Sequence, residues 1–444
     1  MNILHVSATD IKGGADRAAY RIHRSLVNHG MEQGLISQMR VLSKLSDDST
    51  VLCGPPAGYG EIVRRLQERL RNHARRGFRT DNRTLHSTAW PDTGLGQELV
   101  RSYRRRELDV VHLHWLGDAT LSIEEIGRLP MPLVWTLHDQ WAFCGAEHYT
   151  SLPALGETVS SEERFALGYT PSNRPRNEAG PDLNRRTWLR KKRCWFKHHH
   201  LTSQIVCPST WLADCARRSA LMADLPITVI PYPIDLQRWA PLDQRQARTI
   251  YNLPLDCPLL LFGAIGGTTD SRKGADLLFK ALQRLRSRLI GSPLASLELV
   301  VFGQSQPIDP PDLGFPIHYT GHLSDDISLR LLYSSANAFI LPSRQDNLPN
   351  TGMEAHACGI PVVAFRTGGL PEIISDRTTG ALAEPFDPDS LADAIEWVLV
   401  DPQRCRQLGD NARQRAESLW DPSIIAASYA EFYPRLERHS VIPQ

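Results

Sequence analysis

The chain has 444 residues, of which 41% are hydrophobic and 22% are charged. Since a single hydrophobic core stops growing near about 250–300 residues, this length predicts two or three domains. Lysine and arginine number 50 and aspartate and glutamate 49, so the net charge of +1 provides no general attraction to nucleic acid. This composition excludes a disordered chain, a collagen and a small disulfide-rich scaffold.

Cysteine usage and the first residues both point to a reducing compartment. The eight cysteines are scattered, and none forms the CxxC pair that is typical of structural zinc sites. The opening MNILHVSATD lacks the basic segment and apolar run of a signal peptide and instead predicts a buried strand. No apolar run reaches the roughly 18–20 residues that a membrane-spanning helix needs. We therefore predict a cytoplasmic protein.

Short β-branched segments alternate with amphipathic stretches along the chain. Near-continuous apolar runs of this kind are typical of parallel strands that are covered on both faces. The segments between them, for example residues 274–289, carry apolar residues at helical spacing. Strands are predicted at 2–8, 109–115, 132–138, 203–209, 227–233, 258–265, 296–303, 317–322, 337–343 and 360–365. The alternation predicts an α/β protein with two Rossmann-like, doubly wound parallel-sheet domains.

Proline marks the joint between the two predicted domains. Pro231, Pro233 and Pro241 fall within one short segment, PYPIDLQRWAP, and proline cannot donate a backbone hydrogen bond. The domain prediction is 1–228 for the first domain, 229–415 for the second, and 416–444 for a carboxyl-terminal helix that returns toward the first.

Two segments interrupt the alternation of strands and helices. Residues 59–79 combine seven arginines with apolar residues at helical spacing, which predicts a basic amphipathic helix. Either a solvated helix packed on the body or a contact with an anionic membrane surface explains this pattern. Residues 145–200 are rich in Pro, Gly, Asn and Ser, and loops of that length are usually functional or mobile. Its His198, His199 and His200 have no acidic or cysteine partner at ligand spacing, so no metal site is predicted.

The stretch at 342–385 carries the clearest chemistry. A strand ends before it, and a helix opens near Asn350, which is a preferred N-cap residue. The free N–H groups of a helix N-terminus bind anions, so the first turn is predicted to hold a diphosphate. Carboxylates before this turn and one turn into the helix are placed to accept hydrogen bonds from sugar or ribose hydroxyls. The predicted residues are Asp346, Asn350, Thr351, Gly352 and Glu354.

This stretch resembles the hallmark of the family 4 glycosyltransferases. It reads Asp346-x7-Glu354, then HACGIPVVAF, then a GG-x-PE run from Gly368 to Glu372, and then TTGAL. The family motif is E-x7-E, so Asp346 stands for the first Glu with a side chain that is one methylene shorter. The resemblance covers essentially the whole chain and implies the GT-B fold, in which two Rossmann-like domains face a central cleft. It also implies a retaining transferase that uses a nucleotide-sugar donor.

The resemblance assigns roles to residues outside this stretch. Gly13 and Gly14 match the family's glycine-rich loop, whose backbone amides face the donor diphosphate. His138 matches the histidine that lies near the transferred sugar. Arg272 and Lys273 match the basic pair that neutralises the diphosphate as the glycosyl bond breaks.

One position departs from the family pattern. The family commonly has an arginine after the glycine that ends the first strand of the second domain, and Gly267 stands there instead. Either Arg272 supplies the second cation, or Lys273 and backbone amides hold the diphosphate. The predicted catalytic residues are His138, Lys273, Asp346 and Glu354.

The implied reaction is sugar transfer with retention at the anomeric carbon. The departing phosphate deprotonates the acceptor, so the protein supplies orientation and electrostatics without a metal or other cofactor. The expected acceptor is a glycan or a lipid-linked oligosaccharide of cell-surface polysaccharide biosynthesis, which an enzyme at the inner face of the membrane would reach. A nucleotide-sugar epimerase and an inactive sugar-nucleotide-binding protein are the alternatives. A dehydrogenase is disfavoured because no G-x-G-x-x-G follows a predicted strand.

Overall fold

The computed structural model describes residues 1–54, 61–117, 119–150, 162–196, 203–263, 270–289, 291–292 and 294–434. The chain divides into two compact units. The first runs from Met1 to Pro233 and takes in the residues from Pro422 onward, and the second runs from Ile234 to Asp421. Gly267 and the histidines at 198–200, which the sequence singles out, lie outside the described residues.

The first unit is built around a parallel sheet of seven strands. Their order is β3-β2-β1-β4-β5-β6-β7, and the strand order reverses between β1 and β4. The elements are β1 Asn2–Thr9, α1 Gly14–His29, β2 Ile36–Ser43, β3 Val51–Cys53, α2 Glu61–Arg75, α3 Leu95–Arg104, β4 Val110–Leu113, α4 Ile123–Ile126, β5 Leu133–Thr136, α5 Glu162–Leu167, α6 Leu183–Phe196, β6 Ser203–Cys207, α7 Thr210–Arg218 and β7 Ile227–Val229.

The second unit has a parallel sheet of six strands in the order β10-β9-β8-β11-β12-β13. Its elements are α8 Gln244–Ile250, β8 Leu259–Gly263, a 3₁₀ turn Ser271–Lys273, α9 Ala275–Arg288, β9 Glu298–Phe302, β10 Ile317–Tyr319, α10 Asp326–Ser335, β11 Ala338–Leu341, α11 Asn350–Ala357, β12 Val362–Phe365, α12 Leu370–Ile373, β13 Gly380–Ala383, α13 Pro388–Leu399 and α14 Pro402–Trp420.

Both sheets contain strands that are buried along their whole length, which explains why those strands read as apolar runs. Every residue of β4, β5, β6, β11 and β12 is buried. Each of the ten predicted strands overlaps an observed one, and the prediction of two doubly wound parallel-sheet domains is confirmed. The sequence missed β2, β3 and β13. Polar residues interrupt β2, among them Arg40, whose Nε donates at 2.9 Å to the carboxylate of Glu98.

The carboxyl-terminal helix α15, Pro422–Phe432, packs within the first unit. Its Tyr429 is buried, and Tyr433, one residue beyond its end, places its hydroxyl 2.7 Å from Nδ1 of His112 on β4. The preceding helix, α14, belongs to the second unit, so the chain passes between units at Pro422 and not at residue 416. The first division likewise falls after Pro233, within the proline-rich segment, and not after residue 228.

The described part of the interrupting segment at 145–200 contains α5 and α6 and is held by buried charge. Arg164 on α5 is almost fully buried, and its guanidinium donates to Glu178 at 3.2 Å and to Asp182 at 3.0 Å. A buried guanidinium needs such partners, since unpaired charge in an interior is costly. Across the described ranges of the chain, no helix is both long and apolar enough to cross a lipid bilayer.

Candidate functional site

The sheet of the second unit reverses its strand order between β8 and β11. In open α/β sheets, ligands bind beyond the carboxyl ends of the two strands at such a switch point. The chain after β8 leads to the turn Ser271–Lys273, and the chain after β11 carries Asp346. The backbone amide of Arg344 donates to the carbonyl of Arg272 at 2.8 Å, which joins the two segments directly. Two stretches that are distant in sequence therefore meet at this edge.

Lys273, Arg272 and Asp346 form one cluster there. Lys273 Nζ donates to Asp346 Oδ2 at 2.6 Å, and Arg272 Nη1 lies 3.8 Å from the same oxygen. The hydroxyl of Ser343 lies 3.4 Å from that oxygen, and the amide of Asn347 donates to Oδ1 at 3.1 Å. Burial by itself would raise the pKa of Asp346, but the charges of Lys273 and Arg272 outweigh it and hold the pKa below its usual value. Asp346 is therefore a buried carboxylate that keeps two cations together.

The turn that carries the two cations is fixed on both sides. Arg272 donates from Nη2 to Asp270 at 3.1 Å and from Nη1 to the carbonyl of Gln345 at 3.1 Å. Gly274 follows at φ +69°, and a Cβ there would lie 1.9 Å from the carbonyl oxygen of Pro342. Only glycine accepts this conformation and this close approach, so the turn is held tightly against the chain after β11.

The two glycines of the GG-x-PE run pack against the backbone of Asp346. The amide of Gly369 donates to the carbonyl of Asp346 at 3.0 Å. Gly368 has φ +57°, and a Cβ on it would lie 2.3 Å from that same carbonyl oxygen. Gly368 and Gly369 are therefore explained by their close packing against the backbone of Asp346.

Helix α11 begins at Asn350, but Pro349 and not Asn350 is its N-cap, and no side chain caps it. The amide of Gly352 donates to the carbonyl of Pro349 at 3.0 Å. A Cβ on Gly352 would lie 2.8 Å from Cδ1 of Leu341, so this glycine also allows α11 to pack against β11. Thr351 and Asn350 are half-buried in the first turn. Diphosphate binding by this turn remains a prediction.

Glu354 lies on α11 one turn beyond these residues and is 3% exposed. The hydroxyl of Tyr333, on α10, donates to Glu354 Oε2 at 3.3 Å. Tyr333 is itself 1% exposed and packs edge-on against Trp239, Phe302 and Phe339. The carboxylate of Glu354 is thus oriented by a buried aromatic cluster, which fits a group that must accept hydrogen bonds in a fixed direction.

Gly13 and Gly14, in the first unit, lie where β1 passes into α1. Gly13 is the N-cap of α1, and its amide donates at 3.2 Å to the carboxylate of Asp16. Asp16 also accepts from the amide of Thr9 and the hydroxyl of Ser7, both at 3.3 Å. Burial raises the pKa of Asp16 in spite of these hydrogen bonds. The glycine-rich turn is therefore shaped by Asp16, a residue that the sequence analysis did not select.

His138 follows β5 and is 8% exposed. Its Nδ1 lies 2.8 Å from the hydroxyl of Tyr232, and its Nε2 lies 3.2 Å from Nδ1 of His114. Burial lowers the pKa of His138 to about 4, so the imidazole is neutral at pH 7. The sequence did not indicate His114 and Tyr232, because neither residue belongs to a recognisable motif. The available signal was polar residues within apolar strands, in DVVHLHW and PYP.

Next to His138, three side chains form an Asp–His–Ser arrangement. His148 Nδ1 lies 2.6 Å from Asp139 Oδ2, and its Nε2 lies 2.7 Å from the hydroxyl of Ser87. The indole of Trp115 donates to the same Asp139 oxygen at 3.1 Å. Since Ser87 is fully buried, no substrate reaches its hydroxyl. The arrangement instead links the residues that follow β5 to Ser87 and Trp115, which come from other segments of the first unit.

Three histidines of the first unit are close enough to suggest a metal centre. Ring atoms of His5, His112 and His114 all lie within 4.8 Å of one another. A metal lies in the ring plane of each imidazole that binds it, yet the ring of His114 is stacked face to face on that of His112, with centroids 4.2 Å apart and planes 28° from parallel. Both nitrogens of His112 and both of His114 also face hydrogen-bond partners. This geometry fits hydrogen bonding and does not fit a shared ion.

Two family models match the chain. The model described as Glycosyltransferase Family 4 matches residues 12–238, which is more than half of the chain. The chain belongs to glycosyltransferase family 4. The model described as Glycosyl transferases group 1 matches residues 260–401 of this family 4 member. The family resemblance drawn from the 342–385 stretch is therefore confirmed.

Relatives and solved structures agree with this membership. D-inositol 3-phosphate glycosyltransferase 2 of Catenulispora acidiphila is 31% identical over 219 residues, 46% of this chain and 49% of that protein. The MMP alpha-(1->4)-mannosyltransferase of Mycolicibacterium hassiacum is 26% identical over 355 residues, 76% of this chain and 72% of the relative. The match thus spans about half the length of the first relative and nearly three quarters of the second.

The crystal structure of HepE from Anabaena in complex with UDP-glucose has a similar fold. Its TM-score is 0.62 at 15% identity, and the match covers 98% of this chain and 100% of that chain. Since the likeness extends over nearly the whole chain, the predicted GT-B fold is confirmed.

Proposed function

We propose that this family 4 member is a retaining glycosyltransferase. It transfers a sugar from a nucleotide-sugar donor to a glycan or lipid-linked acceptor in cell-surface polysaccharide biosynthesis. The names of the two relatives support sugar transfer, and the UDP-glucose complex of HepE supports a nucleotide-sugar donor. No metal or other cofactor is part of this proposal.

The observation that carries the proposal is the cation pair at the switch point of the second sheet. The side chains of Lys273 and Arg272 are 33% and 20% exposed, so both cations are accessible to a ligand. The carboxylate of Asp346 holds the two cations, and the amino-terminal turn of α11 follows Asp346 in the sequence. Two accessible cations, together with the free amides of a helix N-terminus, are suited to a diphosphate.

The chemistry follows from where negative charge grows. As the bond between the anomeric carbon and the phosphate oxygen breaks, the leaving diphosphate gains charge, which Lys273 and Arg272 stabilise. The acceptor hydroxyl forms the new bond on the same face, and its proton passes to the leaving phosphate oxygen. Retention results because attack and departure share one face. His138 and Glu354 are proposed to orient the sugar, and Gly13 and the first turn of α11 to contact the diphosphate.

The test is turnover of nucleotide sugars, measured as release of nucleoside diphosphate from UDP-glucose and a panel of other UDP- and GDP-linked sugars. Lys273→Ala is expected to lower kcat/KM by about 10²-fold or more, since it removes transition-state charge stabilisation. The matched control is Lys280→Ala, because Lys280 is an exposed lysine on α9. If Lys273→Ala and Glu354→Gln together leave turnover unchanged, the site assignment is wrong.

Product analysis separates the two alternative functions. An epimerase converts the donor in the absence of any acceptor, whereas a silent binding protein is stabilised by the nucleotide sugar without consuming it. A retaining transferase gives a glycoside whose anomeric configuration, read by proton NMR, equals that of the donor. An inverted product would contradict the proposal while leaving the transferase class intact.

We further propose that α2 contacts an anionic membrane surface, where a lipid-linked acceptor would be found. No described side chain of this helix is buried. Ile62 is 84% exposed and Leu66 56% exposed, one turn apart on the same face. Arg65 and Arg69 lie beside them and are exposed. An exposed apolar stripe flanked by arginines is typical of helices that lie in the lipid headgroup region.

Flotation with phosphatidylglycerol and phosphatidylcholine vesicles tests this contact. The chain is expected to float with the anionic vesicles alone, and Ile62→Asp with Leu66→Asp is expected to abolish flotation. The control is Ile308→Asp in the second unit, since Ile308 is fully exposed but has no part in α2. Equal recovery of all three proteins, or no flotation of the unmodified chain at moderate salt, would exclude the contact.

A further inference from the structure

Four side chains of the first unit are joined in series by hydrogen bonds, and we call this series the histidine chain. Tyr232 Oη lies 2.8 Å from His138 Nδ1, and His138 Nε2 lies 3.2 Å from His114 Nδ1. His114 Nε2 in turn lies 2.8 Å from Nδ1 of His5, on β1. All four side chains are buried. The histidine chain therefore extends from His138, the predicted sugar-binding histidine, to His5 in the centre of the sheet.

The chemistry of neutral imidazole makes this chain directional. A neutral imidazole carries one N–H and one acceptor nitrogen, so each link between two rings needs one donor and one acceptor. If His5 donates to His114, then His114 must donate to His138 and His138 to Tyr232. If Tyr232 donates, every link reverses. The three rings must therefore carry their protons on the same type of nitrogen, either all Nδ1 or all Nε2.

We propose that His114 and Tyr232 are positioning residues that hold the His138 imidazole in one tautomer and one orientation against the donor sugar. This inference rests on the proposed function, because it assumes that His138 lies at the transferred sugar. The rings of Tyr232 and His138 are also nearly parallel, with centroids 5.4 Å apart and planes 16° from parallel, which fits an edge-to-edge hydrogen bond. The His138 ring is thus fixed by hydrogen bonds at both of its nitrogens.

The far end of the histidine chain supports a positioning role and not a proton-conducting one. His5 Nε2 is buried and has no hydrogen-bond partner within the described part of the protein. A proton that reached His5 would have no acceptor at Nε2, so the histidine chain does not conduct protons away from the site. Burial also lowers the pKa of His5, His114 and His138 below the ordinary value, and this keeps all three rings neutral.

The first experiment reads the tautomers in the protein alone. Long-range proton–nitrogen correlation NMR distinguishes the protonated ring nitrogen from the bare one in each histidine of ¹⁵N-labelled full-length chain. His5, His114 and His138 are expected to share one neutral tautomer. Different tautomers among the three, or a stoichiometric bound metal ion in the purified protein, would overturn the proposal.

The second experiment breaks single links with matched controls. Tyr232→Phe keeps the aromatic ring but removes the hydroxyl, and Tyr429→Phe removes another buried hydroxyl of the same unit that is not part of the histidine chain. His114→Gln places its amide where Nε2 was and loses the link to His138, whereas His114→Asn places it at the Nδ1 position and keeps that link. Both replacements leave a smaller polar group in the core, so their stability costs are similar.

Tyr232→Phe and His114→Gln are expected to lower kcat about 10-fold with little change in KM, because a misoriented group impairs the reaction more than binding. Both should also split the His138 ring signals between two tautomers. His114→Asn should return kcat and the His138 spectrum toward those of the unmodified chain, and Tyr429→Phe should change neither. An unchanged His138 spectrum in His114→Gln, or an equal loss of kcat in Tyr429→Phe, would overturn the proposal.

The two experiments separate this inference from the proposed function. If the unmodified chain turns over no nucleotide sugar, the proposed function fails, and the positioning role fails with it even when the tautomers agree. If turnover is present but the tautomers disagree, the positioning role alone fails.

Discussion

The first unit should lose stability at mildly acidic pH, because it buries five histidines in their neutral form. Burial lowers the pKa of His23 and His138 to about 4 and that of the other three well below the ordinary value. In the unfolded chain all five titrate near 6.5. The unfolded state therefore binds more protons below pH 6.5, and stability falls as the pH drops from 6.5 toward 4. These residues are His5, His23, His112, His114 and His138.

The size of the effect follows from these pKa values. At pH 5, a histidine that titrates at about 4 in the fold and at 6.5 unfolded destabilises the fold by about 2 kcal/mol. His23 and His138 together therefore remove about 4 kcal/mol, and the lowered pKa values of the other three histidines act in the same direction. The loss from His23 and His138 alone approaches the lower end of the stability of about 5–15 kcal/mol expected of a domain. Asp16, Glu147 and Glu178 oppose it, because their raised pKa values favour the fold as they protonate.

Hydrogen exchange read by mass spectrometry resolves the two units in the intact chain. Peptides from β1 and β4 are expected to lose protection between pH 6.5 and 5, before peptides from β11 and β12. The second unit serves as the internal comparison, because His356 is the one histidine among its described residues that is fully buried. Simultaneous loss of protection in both sheets, or unchanged protection of β1 and β4 at pH 5, would refute the reasoning.

Three substitutions test other contacts. Asp346→Asn should lower the free energy of unfolding by about 1 kcal/mol, since the variant no longer offers a charged acceptor to the partly exposed Lys273. It should also lower kcat/KM, and an unchanged kcat/KM would contradict this. Gly368→Ala should lower the free energy of unfolding, measured by urea denaturation, by about 2 kcal/mol or more, because residue 368 has a left-handed backbone and a Cβ there would clash with a carbonyl oxygen. A loss below about 1 kcal/mol would exclude that strain. Tyr433→Phe should lower the free energy of unfolding by about 1–3 kcal/mol, because a ring nitrogen of His112 loses its partner; equal urea midpoints would deny that bond.

Some parts of this structure could be predicted because their causes are local. A strand such as β5 is buried on both faces, so its four residues form an apolar run that is visible in the sequence. Helix α11 begins where proline ends the preceding loop, and the prediction was wrong only about which residue caps it. By contrast, β2 contains Gln38 and Arg40, and its place in the sheet depends on partners such as Glu98 that lie far along the chain.

The candidate site shows the same division. The family resemblance selected Asp346, Lys273 and Glu354 as candidate site residues, but it did not show which side chains each one contacts. That Asp346 holds Lys273, and that Tyr333 orients Glu354, depends on the pairing of β8 with β11 and on the packing of α10. Such contacts join residues tens of positions apart, so no local pattern reveals them.

By itself, the sequence determined the two parallel-sheet domains, the family and most of the residues proposed to bind the donor, because apolar runs and short motifs record local constraints. Only the tertiary structure decided which side chains share hydrogen bonds. The histidine chain joins positions 5, 114, 138 and 232, which four separate segments supply. Each histidine alone reads as an ordinary polar residue. Their coupling exists because parallel strands place these segments side by side in a buried core, where most polar groups are hydrogen-bonded.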